Sequence, residues 1–301
     1  MTASMKGVEP PLFVPIALAV AFVCVLSYAC ASSTPRRGQA VAHATSAPPS
    51  IRYGITDGGY TGVPFWILGA YCDAGPTVVR SPVRSVDEAS TVLASEAPCA
   101  STAAHLLIEG EDRPLATALG EFAANRTKVS DVECGNELEL RPLELPIDRA
   151  AAFVGDCARS LRAGGYLGNI LTAAIYTVDA EQLKRLKAYR DACPTCGCAI
   201  HWYGGDITEW KDEIDALACP YVAITEMGRA SRNAAEDAEQ EAYYREEVPG
   251  FWTLGATLIE SYQRASGAST SDLDNFGQFR LDQSPKAVWL FWRSLLRGLG
   301  G

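Results

Sequence analysis

Two short stretches carry residue types whose chemistry depends on being brought together. Cys134-Gly135-Asn136-Glu137 and Ile224-Thr225-Glu226-Met227-Gly228 each place a glutamate at the end of a short apolar run. A buried parallel strand emerges into a loop at such a point. Two converging carboxylates can divide labour, one donating a proton while the other stays ionised as base or nucleophile. That division is what acid/base cleavage of a glycosidic bond requires.

The elements around the pair follow a rhythm. Runs rich in Val, Ile, Leu and Ala predict strands over Ile51–Thr56, Thr77–Arg80, His105–Glu109, Val129–Cys134, Ile170–Tyr176, Ala199–Tyr203, Tyr221–Thr225 and Ala256–Tyr262. Between them lie amphipathic patterns such as Ile147–Leu161, with Pro146 at its start where a missing N–H costs little, and Ala180–Tyr189. Eight such units are the count of a (β/α)8 TIM barrel, read here as one compact α/β domain over residues 51–301. An open doubly wound sheet is the alternative. No G-x-G-x-x-G follows a strand, so no dinucleotide cofactor, and no cofactor of any kind, is expected. In a barrel the C-terminal strand ends share one mouth. The candidates there are Asp57, Arg80, Glu109, Asn136, Glu137, His201, Tyr203, Glu226, Glu260 and Tyr262. By strand alternation Trp202 turns away from His201 and Tyr203, while Glu133 lies within a strand and needs a partner there.

Composition narrows the partners. The formal net charge of −10 and the absence of any Lys/Arg-rich run argue against nucleic acid and fit a neutral or cationic substrate, although an acidic surface is more often simply a soluble one. A monomer is expected. Residues 1–31 contain an uncharged apolar run, Leu12 to Ala31, which ends in Ala29-Cys30-Ala31. Three readings stand: a cleaved secretory signal, a lipoprotein signal lipidated at Cys30, and an uncleaved membrane anchor. All three export the rest of the chain, and two attach it to the outside of the membrane. Residues 32–50, rich in Ser, Ala, Pro and Thr, read as a flexible linker. Beyond Cys24 and Cys30, the cysteines are Cys72, Cys99, Cys134, Cys157, Cys193, Cys196, Cys198 and Cys219, an even set that favours disulfides in an exported chain. One of Cys193, Cys196 and Cys198 is expected to join Cys219 or Cys157. A metal knuckle or redox pair at Cys193-Pro-Thr-Cys196-Gly-Cys198 is the competing reading. No second CxxC or neighbouring His completes a zinc site, so no metal is expected.

Several motifs together resemble clan A glycoside hydrolases. Val132-Glu133-Cys134-Gly135-Asn136-Glu137 looks like their strand-four motif, Ala199-Ile200-His201-Trp202-Tyr203 their strand six, and Val222–Gly228 their strand seven. Asp274–Gly277 and Ser284–Ala287 are similar to their closing region. The resemblance implies a retaining hydrolase acting on a β-linked oligo- or polysaccharide. Glu137 is then the acid/base, Glu226 the nucleophile, Asn136 a ligand of the 2-hydroxyl, and Arg80 and Tyr203 supports of Glu226; His201, Asp57 and Glu260 are further supporting candidates. Two departures stand out. Leu138 replaces the proline that often follows the acid/base, and Glu260-Ser261-Tyr262 stands where a tryptophan platform is common, leaving Tyr262 as its substitute. The rival reading is a catalytically silent carbohydrate-binding cell-surface protein on the same barrel.

Overall fold

The computed structural model describes residues 51–57, 65–75, 77–96, 99, 102–109, 111–140, 143–263, 276–280 and 283–298, without the side chains of Asp57, Phe65, Trp66, Glu96 and Gln263. The expected signal or anchor, Cys24, Cys30, the linker and the start of the Asp274–Gly277 motif lie outside the described residues.

Strands and helices alternate as the apolar rhythm predicts: β1 (Arg52–Asp57), α1 (Phe65–Ala74), β2 (Thr77–Val83), α2 (Val86–Glu96), β3 (Thr102–Ile108), α3 (Arg113–Ala124), β4 (Val129–Cys134), α4 (Ile147–Ala163), β5 (Asn169–Leu171), α5 (Ala180–Ala192), β6 (Cys198–Trp202), α6 (Lys211–Ala216), β7 (Val222–Met227), α7 (Ala234–Leu254), β8 (Ala256–Gln263) and α8 (Ala287–Leu296). All strand pairings are parallel, in the order β5-β4-β3-β2-β1-β8-β7-β6. Bridges Leu171↔Gly197 and Ile175↔Ile200 join the two ends, so the sheet closes into a (β/α)8 barrel. β5 is shorter than its apolar run, and just past its end the Thr172 hydroxyl accepts the Ala199 N–H.

Alternation sorts the side chains of each strand. Ile55, Val79, Leu106, Val132, Ile170, Ile200, Ile224 and Ile259 face the helices in the main apolar core. Val78, Leu171, Ala174, Ala199, Ala223 and Leu258 form a second, small cluster inside the barrel. These interior side chains are mostly small, which leaves room for polar ones. Below them Arg52 grips Asp131 with two hydrogen bonds of 2.6 and 2.9 Å. Towards the mouth lie Arg80, His105, Glu133, His201, Glu226 and Glu260, all buried.

The cysteines pair as Cys72–Cys99, Cys134–Cys157, Cys193–Cys196 and Cys198–Cys219. The Cys198–Cys219 bond agrees with expectation, but Cys157 is taken by Cys134 at the end of β4. The Cys193–Cys198 cluster is committed to two disulfides, which displaces the metal-knuckle reading. No helix among the described residues is long and apolar enough to cross a membrane.

The Cys134–Cys157 bond encloses 23 residues of sequence separation and pins α4 to the strand that carries Glu137. Replacing both cysteines with alanine is expected to cost about 3 kcal/mol, by the loop entropy released to the unfolded chain. Urea unfolding of the double variant beside the parent checks it.

Candidate active site

The mouth is assembled from strand ends with irregular backbones. On β4, Gly135 turns the chain at φ +103°, and Glu137 itself sits in the left-handed region at φ +42°. A non-glycine residue held there carries a strain of about 1–3 kcal/mol and persists only where its surroundings impose it. Here the Glu137 N–H donates to the Ala174 carbonyl at 3.1 Å, and the Glu137 carbonyl accepts from Leu140 N at 2.9 Å. Leu138 is fully buried beneath Gly135, so it anchors this loop from below.

A second irregularity aims the other glutamate. Ile200 pairs with Ile224, yet the next residue of β6, His201, pairs with Glu226 rather than Thr225. One extra residue has been inserted into β7, and a bulge of this kind re-aims the side chains that follow it. Without it, alternation from inward Ala223 would turn Glu226 towards the helices. The Thr56 hydroxyl braces the bulge by donating to the Thr225 carbonyl at 2.6 Å.

The two glutamates meet across the mouth. One oxygen of Glu137, one of Glu226 and a ring nitrogen of His201 all lie within 4.8 Å of one another. His201 accounts for much of this: Nδ1 is 2.7 Å from Glu137 Oε1 and Nε2 is 3.5 Å from Glu226 Oε1. Burial works against a charged His201, but Glu226 and Glu137 outweigh it and raise its pKa above the usual histidine value. Such a trio has metal-ligating atom types. Its oxygens, however, already face Arg80, Tyr203 and the imidazole, and a cation would have to displace them.

Glu226 is 7% exposed and held at both oxygens. Arg80 Nη1 donates to Oε1 at 2.6 Å, and the Tyr203 hydroxyl donates to Oε2 at 2.5 Å. Although 41% of Tyr203 remains exposed, its hydroxyl is tucked against the carboxylate. Burial of that hydroxyl, reinforced by the charges of Glu226 and Glu137, holds its pKa well above the ordinary tyrosine range. Arg80 Nη2 also reaches Asn136 Oδ1 at 2.8 Å. Arg80 is therefore the hinge of the site.

Behind Arg80 runs a line of buried charge only partly foreseen. Its Nε and Nη2 bind Glu133 at 2.6 and 3.1 Å. His105 lies between Glu133, at 3.3 Å from Nε2, and Glu260, at 3.0 Å from Nδ1. Burial alone would depress His105, but Glu260 and Glu133 outweigh it and lift its pKa to about 9. Burial likewise opposes ionised Glu133, yet Arg80 and His105 bring its pKa down to about 2. Burial keeps Glu260 above its usual value, with His105 opposing. Glu260 is thus fully buried against His105 and supports the site from below instead of lining the cleft. The side chain of Asp57 lies outside the described residues.

Tyr262 belongs to an aromatic wall. Phe276 packs edge-on against Tyr203 and Tyr262, with ring centroids 5.7 Å apart in each pair. A Cβ on Gly228 would come within 2.6 Å of the Phe276 ring, so the glycine closing the strand-seven motif makes room for it. Trp202 does face away, donating from Nε1 to Glu247 at 2.7 Å. Sequence reasoning missed Thr56 and the role of Phe276, and it left Glu133 and His105 without partners. The i, i+2 spacing of Asp131 and Glu133 on β4 was the available signal, since both must point into the barrel.

No protein-family model matches the chain, and no curated protein matches it in sequence. Solved structures do match in fold. An exo-β-1,4-mannosidase from Opitutaceae bacterium strain TAV5 superposes with a TM-score of 0.63 at 12% identity, over 82% of this chain and 59% of that one. The chain thus spans under two thirds of the mannosidase. An endo-β-1,4-glucanase from Xanthomonas axonopodis pv. citri gives 0.62 at 11% identity, over 83% and 100%. An endo-β-1,3-glucanase from Amycolatopsis mediterranei, crystallised with laminaripentaose, gives 0.53 at 17% identity, over 81% and 98%. The chain shares the barrel fold of these glycoside hydrolases.

The charge line makes a stability prediction. The His105 pKa is raised from 6.5 to about 9 on folding, so its contribution is complete below 6.5 and is lost as the pH rises towards 9. The stability difference between the parent and His105→Asn in urea melts is expected to be largest below about pH 6.5 and to shrink steadily up to about pH 9.

Proposed function

We propose that the chain is an exported glycoside hydrolase that cleaves a β-linked oligo- or polysaccharide with retention of anomeric configuration. The observation that carries this reading is the approach of Glu137 and Glu226 to within 4.8 Å, oxygen to oxygen. Double displacement uses carboxyl groups about 5–5.5 Å apart, whereas inversion needs roughly 6.5–9.5 Å to admit a water molecule. The four disulfides fit an oxidising compartment outside the cytoplasm.

The two carboxylates take different roles because their neighbours differ. Glu226, gripped by Arg80 and Tyr203, is the nucleophile. Its oxygen forms a bond to the anomeric carbon as the bond to the departing oxygen breaks. Glu137, more open to the mouth and hydrogen-bonded only to His201 among the described side chains, gives its proton to that departing oxygen. In the second half-reaction Glu137 takes a proton from water, the water oxygen bonds to the anomeric carbon, and the Glu226 carboxylate is released. Asn136 has its amide oxygen engaged by Arg80, which turns the NH2 into the donor for a sugar hydroxyl. The buried Arg80 holds the Glu226 carboxyl group in place between turnovers.

Glu226→Gln is expected to lower kcat by roughly 10^4-fold or more on a panel of aryl β-glycosides and β-glucans, β-mannans and β-xylans. Glu137→Gln should lower it by about 10^2–10^4-fold where the leaving group needs a proton. NMR of the first-formed product should show the retained anomer. An inverted product, or turnover indifferent to Glu226→Gln, overturns the assignment; binding without turnover by the parent favours the silent carbohydrate-binding reading.

A further inference from the structure

Glu137 is held where its backbone would not rest unaided. Its φ of +42° lies in the left-handed region, which a non-glycine residue keeps only while its surroundings impose it. Two of the imposing bonds run from backbone to backbone: the Glu137 N–H donates to the Ala174 carbonyl, and the Glu137 carbonyl accepts from Leu140. A third link comes from a side chain to which the chemistry above assigns no part. Glu139, two residues past the acid, accepts the Tyr176 N–H through Oε1 at 3.3 Å. Tyr176 in turn lies two residues past Ala174. The loop after β5 therefore grips the acid's loop twice, at Glu137 and again at Glu139.

Stability does not explain a carboxyl group at this position. Glu139 Oε2 is buried without a hydrogen-bond partner among the described residues, and so are Arg185 Nε and the Tyr189 hydroxyl of α5. A buried oxygen that no donor reaches costs stability. Burial raises the Glu139 pKa above its usual value, while hydrogen bonds from the Glu139 and Tyr176 backbones and the charge of Arg185 oppose it. Arg185 meanwhile donates from Nη1 to the Leu145 carbonyl at 3.0 Å, and the Leu145 N–H donates to Leu138 at 2.8 Å. The acid's loop is thus pinned at both ends, by Glu139 beside Glu137 and by Arg185 at Leu145.

Resting on the hydrolase reading above, we propose that Glu139 is a positioning residue for the proton donor, bracing the strained Glu137 so that its carboxyl group meets the departing oxygen. Released from the brace, the backbone at Glu137 can relax. A displacement of about 1 Å is enough to cost roughly 10^2-fold in rate. Glu226 is held separately, by Arg80 and Tyr203, so nucleophilic attack keeps its geometry. The loss therefore falls on substrates whose departing group needs a proton, and spares those whose departing group does not.

The test sets departing groups that need a proton against ones that do not. The first class is phenyl β-glycosides together with β-glucans, β-mannans and β-xylans. The second is the 2,4-dinitrophenyl β-glycosides and β-fluorides of the same mono- and oligosaccharides. In Glu139→Ala, the ratio of kcat/KM on the first class to kcat/KM on the second is expected to fall by roughly tenfold. Because both rates come from one preparation, partial unfolding of the variant leaves this ratio unmoved. Glu139→Gln keeps an oxygen for the Tyr176 N–H and should hold the ratio near that of the parent. A ratio unmoved by Glu139→Ala overturns the brace, as does a fall of equal size in Glu139→Gln. A parent active on one class alone also overturns it, since the brace requires an enzyme that acts on both. A parent inactive on both classes overturns the hydrolase reading and the brace with it.

Discussion

A single buried guanidinium organises this barrel's mouth. Arg80 is 1% exposed, yet it binds Glu133, Glu226 and Asn136 at once. Taking an arginine out of water costs several kcal/mol unless every donor it turns inward finds an acceptor. Two other strands must therefore meet it with the right side chains: β4 contributes Glu133 and, just past its end, Asn136, and β7 contributes Glu226. The carboxylate proposed as nucleophile is thus not simply present at a strand end. It is one of the groups that make a buried cation tolerable, and removing it would leave that cation short of a partner.

The same logic continues below Arg80. Glu133 has to share Arg80 with Glu226, and His105 gives it a second positive partner. His105 is in turn flanked by Glu260. The result is a line of alternating charge through the barrel interior, made possible because the residues lining that interior beneath it are small. Such an interior is a poor source of hydrophobic stabilisation. The burden falls on the shell between strands and helices, where most of the apolar core lies, and on the disulfides.

Backbone irregularity concentrates where chemistry is proposed. The left-handed Glu137 and the bulge before Glu226 are both departures from a regular barrel, and each is braced from elsewhere in the sheet: the first by Ala174, just past the adjacent β5, the second by Thr56 of β1, two strands away. Two irregular strand ends, each braced by another part of the chain, give two carboxylates held at a set separation, which is the condition for dividing acid and nucleophile between them. Phe276 joins Tyr203 and Tyr262 into an aromatic wall beside that pair.

Much of this was legible in the chain. The alternation of apolar runs and amphipathic helices determined the barrel, and β4 occupies the residues its pattern marks. Glu137 and Glu226 were legible because a carboxylate that ends an apolar run has nowhere to go but the mouth. Other features are non-local, and no spacing encodes them. The extra residue in β7 is visible only against its register with β6, so the inward aim of Glu226 was decided by pairing. Glu260 resembles the mouth residues in sequence but lies one layer too deep, because the depth of a strand residue depends on the stagger of its neighbours. Cys157 lies far from Cys134 in sequence and joins it only because α4 packs back onto β4. The sequence by itself determined which residue types reach the barrel interior; the tertiary structure decided which of them touch, since contact across a closed sheet is set by register and not by distance along the chain.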